Sequence, residues 1–390
     1  MIFSCEEKMK LVEIQFPYNS NKTGEPYLTV SDNELFISWI EEKIDSNFLY
    51  MSKLVDNKWN DKELIVKGKD WFVNWADFPS ISINKINGLK IAHYLKKSSI
   101  KTFSYDVNFL VNTSDSWKEE QKMHSDRTLS EHGFVSIQPF NDGFISSWLD
   151  GRNTTHNNKN LGHASGPMSL RSAIINSQGK VIKEIEIDDM VCDCCQTSIA
   201  VSNDIPIVVY RDRSQNEIRD ISVSRFINSS WSKPYSLNDD KWKINGCPVN
   251  GPSIKSNGRH VVVAWFSAAN GKPEVNVKFS NNQGKSFGKK ILINTSEVLP
   301  LGRVDIDFID NKQAVISWMS TNNGIGSINL RKIGIDGVTG DIISLSNVSD
   351  SRATGFPQIE KLDNHLILSF TDESDGLKKI KTFKVPISSL

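Results

Sequence analysis

Three stretches of this sequence hold side chains suited to chemistry. Cys192-Asp193-Cys194-Cys195 sets three thiols within four residues, and Cys247 adds a fourth downstream. Thiolate sulfur is a preferred ligand of Cu(I) and a common one of Zn(II), although this spacing matches no standard zinc pattern. Four thiols can equally form two disulfides in an oxidising compartment, or leave a reactive pair. Cys194 and Cys195 are adjacent and would point to opposite faces of a strand, so one partner can hold both only where the backbone turns sharply. Upstream, His124 and His132 could add imidazole ligands to such a site.

The second chemistry is anion recognition. The chain has 11 arginines against 35 lysines, yet Arg127, Arg152, Arg211, Arg213, Arg303 and Arg352 all fall in loops that the repeat parse below assigns to one face. A guanidinium offers a planar bidentate fork to carboxylate, sulfate or phosphate. The alternative is that Arg–Asp pairs knit neighbouring loops, as Arg211-Asp212-Arg213 could with Asp150. Asp150, Asp212 and Glu131 are candidate general acids or bases if they are buried beside one another.

These residues need a scaffold, and the sequence repeats one. Hydrophobic stretches, polar turns and alternating strands recur, each unit landing on an aromatic residue: Trp39, Tyr94, Trp148, Tyr210, Trp265, Trp318 and Phe370. The successive intervals are 55, 54, 62, 55, 53 and 52 residues. A period near 50 residues with β-branched enrichment and no helical periodicity predicts an all-β, seven-bladed β-propeller of four strands per blade. Six blades is the alternative if the N-terminal repeat is irregular. In blade five the strands are expected at 252–254, 260–266, 274–280 and 289–293, and in blade six at 304–309, 314–319, 327–333 and 341–345. After Phe370 only one strand is evident, near 379–385, so the segment 10–16 is expected to complete blade seven and close the ring. Loops leading into a repeat, and loops following its aromatic landmark, then share one face. The third repeat is long because of a polar stretch at 153–168 on that face, with His156 and His163 read as solvated. Trp71 and Trp75 are read as core.

Ser280-Asn281-Asn282-Gln283-Gly284-Lys285-Ser286-Phe287 resembles the Asp-box, Ser-x-Asp-x-Gly-x-Thr-Trp, of sialidase-like (BNR repeat) propellers. Weaker echoes stand at Asp115-Ser116-Trp117 and Ser229-Ser230-Trp231. The resemblance implies the propeller fold and a structural turn between third and fourth strands; it does not specify an activity. Sialidases hold a carboxylate with three arginines, the first from blade one, and use a Tyr–Glu pair with an Asp. No arginine precedes Arg127, and no Tyr–Glu pair is evident. The leading expectation is an exported propeller whose Arg-rich face binds, and in an enzymatic version hydrolyses, an anionic ligand such as an acidic or sulfated glycan. A copper or zinc thiolate protein built on Cys192, Cys194, Cys195 and Cys247 with His124 or His132 is the rival, and a protein-interaction scaffold the third reading.

Composition narrows the field. Forty-six basic and 46 acidic residues give zero net charge, which argues against a nucleic-acid footprint. No apolar run approaches the about 18 residues of a membrane-spanning helix. Met1-Ile2-Phe3-Ser4-Cys5 looks like the end of a bacterial lipoprotein signal, with an aliphatic residue three before the cysteine and a small one directly before it. Residues 1–9 are therefore expected to be a tether lipidated at Cys5, contacting a membrane only there, and residues 10–390 a single periplasmic or cell-surface propeller.

Overall fold

The computed structural model describes residues 11–19, 22–113, 116–154, 166–295, 297–374 and 376–390. Cys5 and the tether lie outside them, as do Asp115, His156 and His163. Seven antiparallel sheets form a ring, a seven-bladed β-propeller, and no α-helix occurs among the described residues. Every aromatic landmark sits in the second strand of its blade. Trp39, Trp148 and Trp265 are fully buried, and replacing such a side chain by Ala costs about 3–5 kcal/mol.

Blade three runs His132–Phe140, Gly143–Asp150, Met168–Ile175, Val181–Val191; blade four runs Ser198–Ser202, Ile205–Arg211, Ile221–Ile227, with a split outer strand, Ser230–Trp231 and Tyr235–Ser236. In blade five, Ser253–Asn257, His260–Ser267 and Glu274–Ser280 follow the expected order, and the outer strand shrinks to Ile291–Leu292. The ring closes as expected. Val12–Ile14 pairs with Lys379–Pro386, the last strand of blade seven, in the register Val12↔Lys384, Glu13↔Phe383, Ile14↔Thr382. Asn19 clasps the same strand twice, to the carbonyl and the N–H of Ile380 at 2.9 and 3.0 Å.

Adjacent blades share their cores, because each sheet buries both faces. Phe134, Leu149 and Leu170 of blade three pack with Ile199, Val208 and Tyr210 of blade four, and Trp39 of blade one with Ile367 of blade seven. Inner strands are stitched by side chains: Asp305 accepts from the Ile359 N–H at 2.8 Å and Asp307 from the Lys361 N–H at 2.7 Å. The turn at 280–287 forms the bonds expected of an Asp-box with Asn in place of Asp. Asn282 Oδ1 accepts from Ser286 N–H at 3.0 Å, and Ser280 Oγ accepts from Gly284 N–H at 3.0 Å.

One irregularity shapes the upper face. The inner strands of blades one, three and six break register near their start, and the residue after the glycine there has positive φ: Glu25 54°, Phe134 56°, Arg303 55°. At Gly133 only a glycine fits, since a Cβ would fall 1.9 Å from Asp77 Oδ2. Such bulges re-aim side chains toward the mouth of the ring. Val249, leading into blade five, has φ 48°, an outlier for a β-branched residue.

Candidate functional site

Cys192 follows directly on the outer strand of blade three. Its N–H donates to the Arg211 carbonyl at 3.1 Å, tying the loop to the second strand of blade four. The chain turns at Asp193 and Cys194, so the adjacent Cys194 and Cys195 both turn inward instead of diverging as in a strand. Cys192, Cys194 and Cys195 are buried, and their sulfurs lie within 4.8 Å of one another, Cys192 and Cys195 at 3.4 Å. Cys247, exposed on the loop before blade five, neighbours Cys194 and helps to raise the pKa of its thiol. All four are free thiols, so the expected disulfides do not appear.

The surroundings of the sulfurs are cationic. Arg219 Nη1 donates to Cys192 Sγ at 3.3 Å, and the Asn250 N–H donates to Cys195 Sγ at 3.4 Å. Arg211 is 1% exposed and spends its donors on backbone carbonyls: Asn250 O twice at 2.9 and 2.7 Å, Arg219 O at 2.7 Å and Phe266 O at 2.7 Å. Trp242 lies under its guanidinium at 4.7 Å. Burial opposes ionisation of Cys192, but hydrogen bonds from the Cys194 and Cys195 thiols and the charges of Arg219 and Arg211 outweigh it, holding Cys192 well below its ordinary value. Cys194 is pushed up, by its bonds to the other three thiols and by burial. One thiolate stabilised by cations, with thiols around it, is a soft-metal donor set in waiting.

The histidines form a different centre. His124 and His132 stack at 3.8 Å with planes 5° apart, between carboxylates from blades two and three. His124 Nδ1 lies 2.6 Å from Asp126 and its Nε2 3.4 Å from Asp106. His132 Nδ1 donates to the Tyr105 carbonyl at 3.2 Å, leaving Nε2 facing Asp126 at 3.2 Å and Asp150 at 3.6 Å. Arg152 binds Asp150 through Nε at 2.8 Å and Nη2 at 2.7 Å, and reaches Glu184 at 2.7 Å. Burial opposes protonation of His124, yet its bonds to Asp106 and Asp126 raise its pKa. No hydrogen bond or ion pair among the described residues joins either imidazole to a thiol. The structure keeps two groups of ligand atoms apart, the sulfurs of Cys192, Cys194 and Cys195 in one and Asp106, His124 and His132 in the other, so the loop leading into blade three brings its imidazoles to acidic neighbours.

The three candidate acids also separate. Asp150 is held by Arg152 and by Trp148 Nε1 at 2.8 Å. Asp212 accepts from Ser222 Oγ and the Arg213 N–H, both at 2.7 Å. Glu131 accompanies Tyr105. They do not share a site. What the sequence reading missed is a Tyr–Glu pair: Tyr105 Oη lies 2.8 Å from Glu131 and 3.1 Å from Asp77. A phenol has one proton, so one of these carboxyls keeps its own. Burial pushes Asp77 up to about 7, against the bonds from the Phe134 N–H and Tyr105, and burial pushes Glu131 up to about 8. Tyr105 starts the third strand of blade two, on the same face as the landmark loops. Extending the loop rule to third-strand starts would have found it.

The arginines divide as well. Arg152, Arg211, Arg213 and Arg303 are spent on protein acceptors. Arg213 pairs with Asp193 at 3.1 Å and Glu217 at 2.8 Å, and Arg303 donates to Ser351 O at 2.8 Å with Trp75 beneath it at 4.9 Å. Asp150 is met by Arg152, not by Arg211 or Arg213 as the loop-knitting alternative had it. Arg127 and Arg352 are exposed. Trp71 is buried against Tyr94 at 4.5 Å, as expected of core, while Trp75 stacks on Phe356 at 5.8 Å. In the centre of the ring a cavity of about 100 Å³ is lined by Tyr27, Phe78, Gln138, Gln196, Lys255 and Glu360, among others, and Lys255 and Glu360 are ion-paired across it.

No family model matches this sequence, and no curated protein matches it. Solved structures do share the fold. An ulvan lyase of a new polysaccharide lyase family, bound to -[GlcA(1-4)Rha3S]-, has a TM-score of 0.56 at 9% identity over 97% of this chain and 96% of its own. The polysaccharide lyase Uly1 gives 0.52 at 10% over 92% and 89%. The β-propeller domain of the Trilobed protease from Pyrococcus furiosus gives 0.50 at 11% over 93% and 97%. At this identity the likeness is one of fold: the chain is similar to β-propellers attached to quite different activities.

Proposed function

We propose that this propeller holds a soft metal ion, Cu(I) or Zn(II), in a thiolate site made by Cys192, Cys194 and Cys195. The observation carrying this reading is the convergence of three buried sulfurs within 4.8 Å beneath two guanidinium groups. Bonds of ~2.3 Å to one metal put tetrahedrally arranged sulfurs ~3.8 Å apart, inside that limit. Several thiolates in one buried pocket need compensating positive charge, and Arg211, whose own donors go to neutral carbonyls, supplies it. Thiols have no comparable need to cluster for packing, since Ala or Val fills such space without a polar atom. The test is metal analysis of protein purified without chelator. One equivalent of copper or zinc, lost in Cys192→Ser, supports the reading; metal-free protein with quantitative disulfides overturns it.

A second reading keeps an acidic glycan as ligand. It is favoured by the exposed Arg127 and Arg352, by the polar cavity at the ring centre, and by the lyases that share the fold, one of them seen with a bound oligosaccharide. Binding to arrayed uronate and sulfated glycans, retained in Cys192→Ser and weakened in Arg127→Ala or Arg352→Ala, would support it. We further propose, from the pattern of residues 1–5 alone, that the protein lies outside the cytoplasm as a lipoprotein anchored at Cys5. An in-frame basic and apolar leader upstream of Met1 in the gene is the check, and its absence ends that part of the proposal.

A further inference from the structure

The four thiols are not equivalent. Cys192 and Cys195 are 0% and 1% exposed, and each accepts an N–H bond, from Arg219 and from Asn250. Cys194 is 7% exposed, and its sulfur lies within 4.8 Å of those of Cys192 and Cys195. Cys247 is exposed yet reaches Cys194. Burial thus falls stepwise from Cys192 and Cys195, through Cys194, to Cys247.

The loop bearing Cys247 is pinned at both ends and open between. Ile244 N–H donates to the Glu217 carbonyl at 3.0 Å, and Asn250 N–H donates to Cys195 itself. Between these anchors Asn245, Gly246 and Cys247 are exposed, and nothing lies within 4 Å of where a Gly246 side chain would begin. A thiol on such a tip can turn outward to solvent or inward to Cys194 without disturbing a strand.

We propose that Cys247 is the transfer ligand of this site: Cu(I) carried by a small thiol or by a partner's thiolate is taken first by Cys247 and passed by way of Cys194 to the buried sulfurs. This rests on the thiolate reading above. Each step is a ligand exchange without a change of oxidation state. The Cu–S bond to Cys247 forms as the bond to a donor thiolate breaks, the Cys247 proton passes to the departing thiolate, and the same exchange repeats onto Cys194. Thiolate exchange through a shared intermediate avoids releasing bare Cu(I).

The experiment measures two quantities on the full chain. Cu(I) is supplied as its glutathione complex, and a coloured Cu(I) chelator reports equilibrium affinity and the rates of loading and removal. In Cys247→Ser, one equivalent should still bind with affinity within about threefold of wild type, because the buried sulfurs remain. Loading and removal should slow by at least tenfold, and Cys247→His, which restores a ligand, should recover part of the rate. Unchanged rates in Cys247→Ser overturn the proposal. So does a hundredfold loss of affinity, which would make Cys247 a permanent ligand. If wild type itself binds no Cu(I), the thiolate reading fails first, and that arm alone shows it.

Discussion

The loops leading into blades three and four build two buried clusters with opposite electrostatic character. In the histidine cluster, two imidazoles stand among three aspartates and Arg152, and His124 Nε2, His132 Nε2 and Asp106 Oδ1 are buried there without a hydrogen-bond partner among the described residues. In the cysteine cluster, Arg211 and Arg219 lean on thiols. Arg219 shares Glu217 with Arg213, while Arg211 gives its protons to carbonyls. The first cluster ties blade two to blade three, and it also brings ligand atoms of Asp106, His124 and His132 within 4.8 Å of one another. The second sets Arg219 against Cys192, whose ionised form it favours, while Arg211 adds charge from bonds made only to neutral carbonyls.

The comparison breaks first at the sulfurs. Cys192→Ser or Cys195→Ser should abolish stoichiometric metal in elemental analysis, whereas His132→Gln should leave it untouched. Equal loss from both would mean that the clusters work as one. Next in size is Arg211→Met, which strips partners from three buried carbonyls and should lower stability by about 3 kcal/mol or more in urea unfolding. Metal affinity should fall with it; unaltered affinity would deny the guanidinium its role as countercharge. Asp126→Asn should destabilise by about 1.5–3 kcal/mol, the range for a lost charge-assisted bond, with no effect on metal.

The smallest effect is in pH. Folding raises the pKa of His124 above its ordinary value near 6.5, so its contribution is full below that pH and fades as pH rises through the folded value. Wild type should therefore lose urea resistance relative to His124→Gln as pH rises above 6.5. Parallel curves for the two would show that His124 does not titrate with folding.

Much of this architecture was legible because blades repeat. Trp39, Trp148 and Trp265 mark second strands since each blade needs one large side chain at the same depth, and the loop rule placed the loop of Cys192, Cys194 and Cys195 beside the loop of Cys247, whose Asn250 N–H bonds Cys195. Partner choice within the face was not legible. Arg211 and Arg303 end on carbonyls of Asn250, Phe266 and Ser351, acceptors that every residue type offers and that leave no trace in a sequence. His124 and His132 gather with Asp106 and not with the thiols for a related reason. The repeat register says which loop a residue occupies, while the direction of its side chain is set by local turns such as the one in which the Thr128 N–H donates to the Asp126 carboxylate. The inward turn at Cys194, by contrast, was the stated condition for adjacent cysteines to share a site.

The clasp between Val12–Ile14 and Lys379–Pro386 also sets a timetable for synthesis. A ribosome adding about 5–20 residues per second leaves the first strand waiting roughly 20 to 70 seconds for its partner. Through that interval its backbone is free to join a sheet in another chain. The wait is tolerable because the strand is only three residues long, with Val12 and Glu13 exposed even in the finished ring, so little apolar surface rewards a wrong match. The last blade to emerge is the one that the first strand was made to complete.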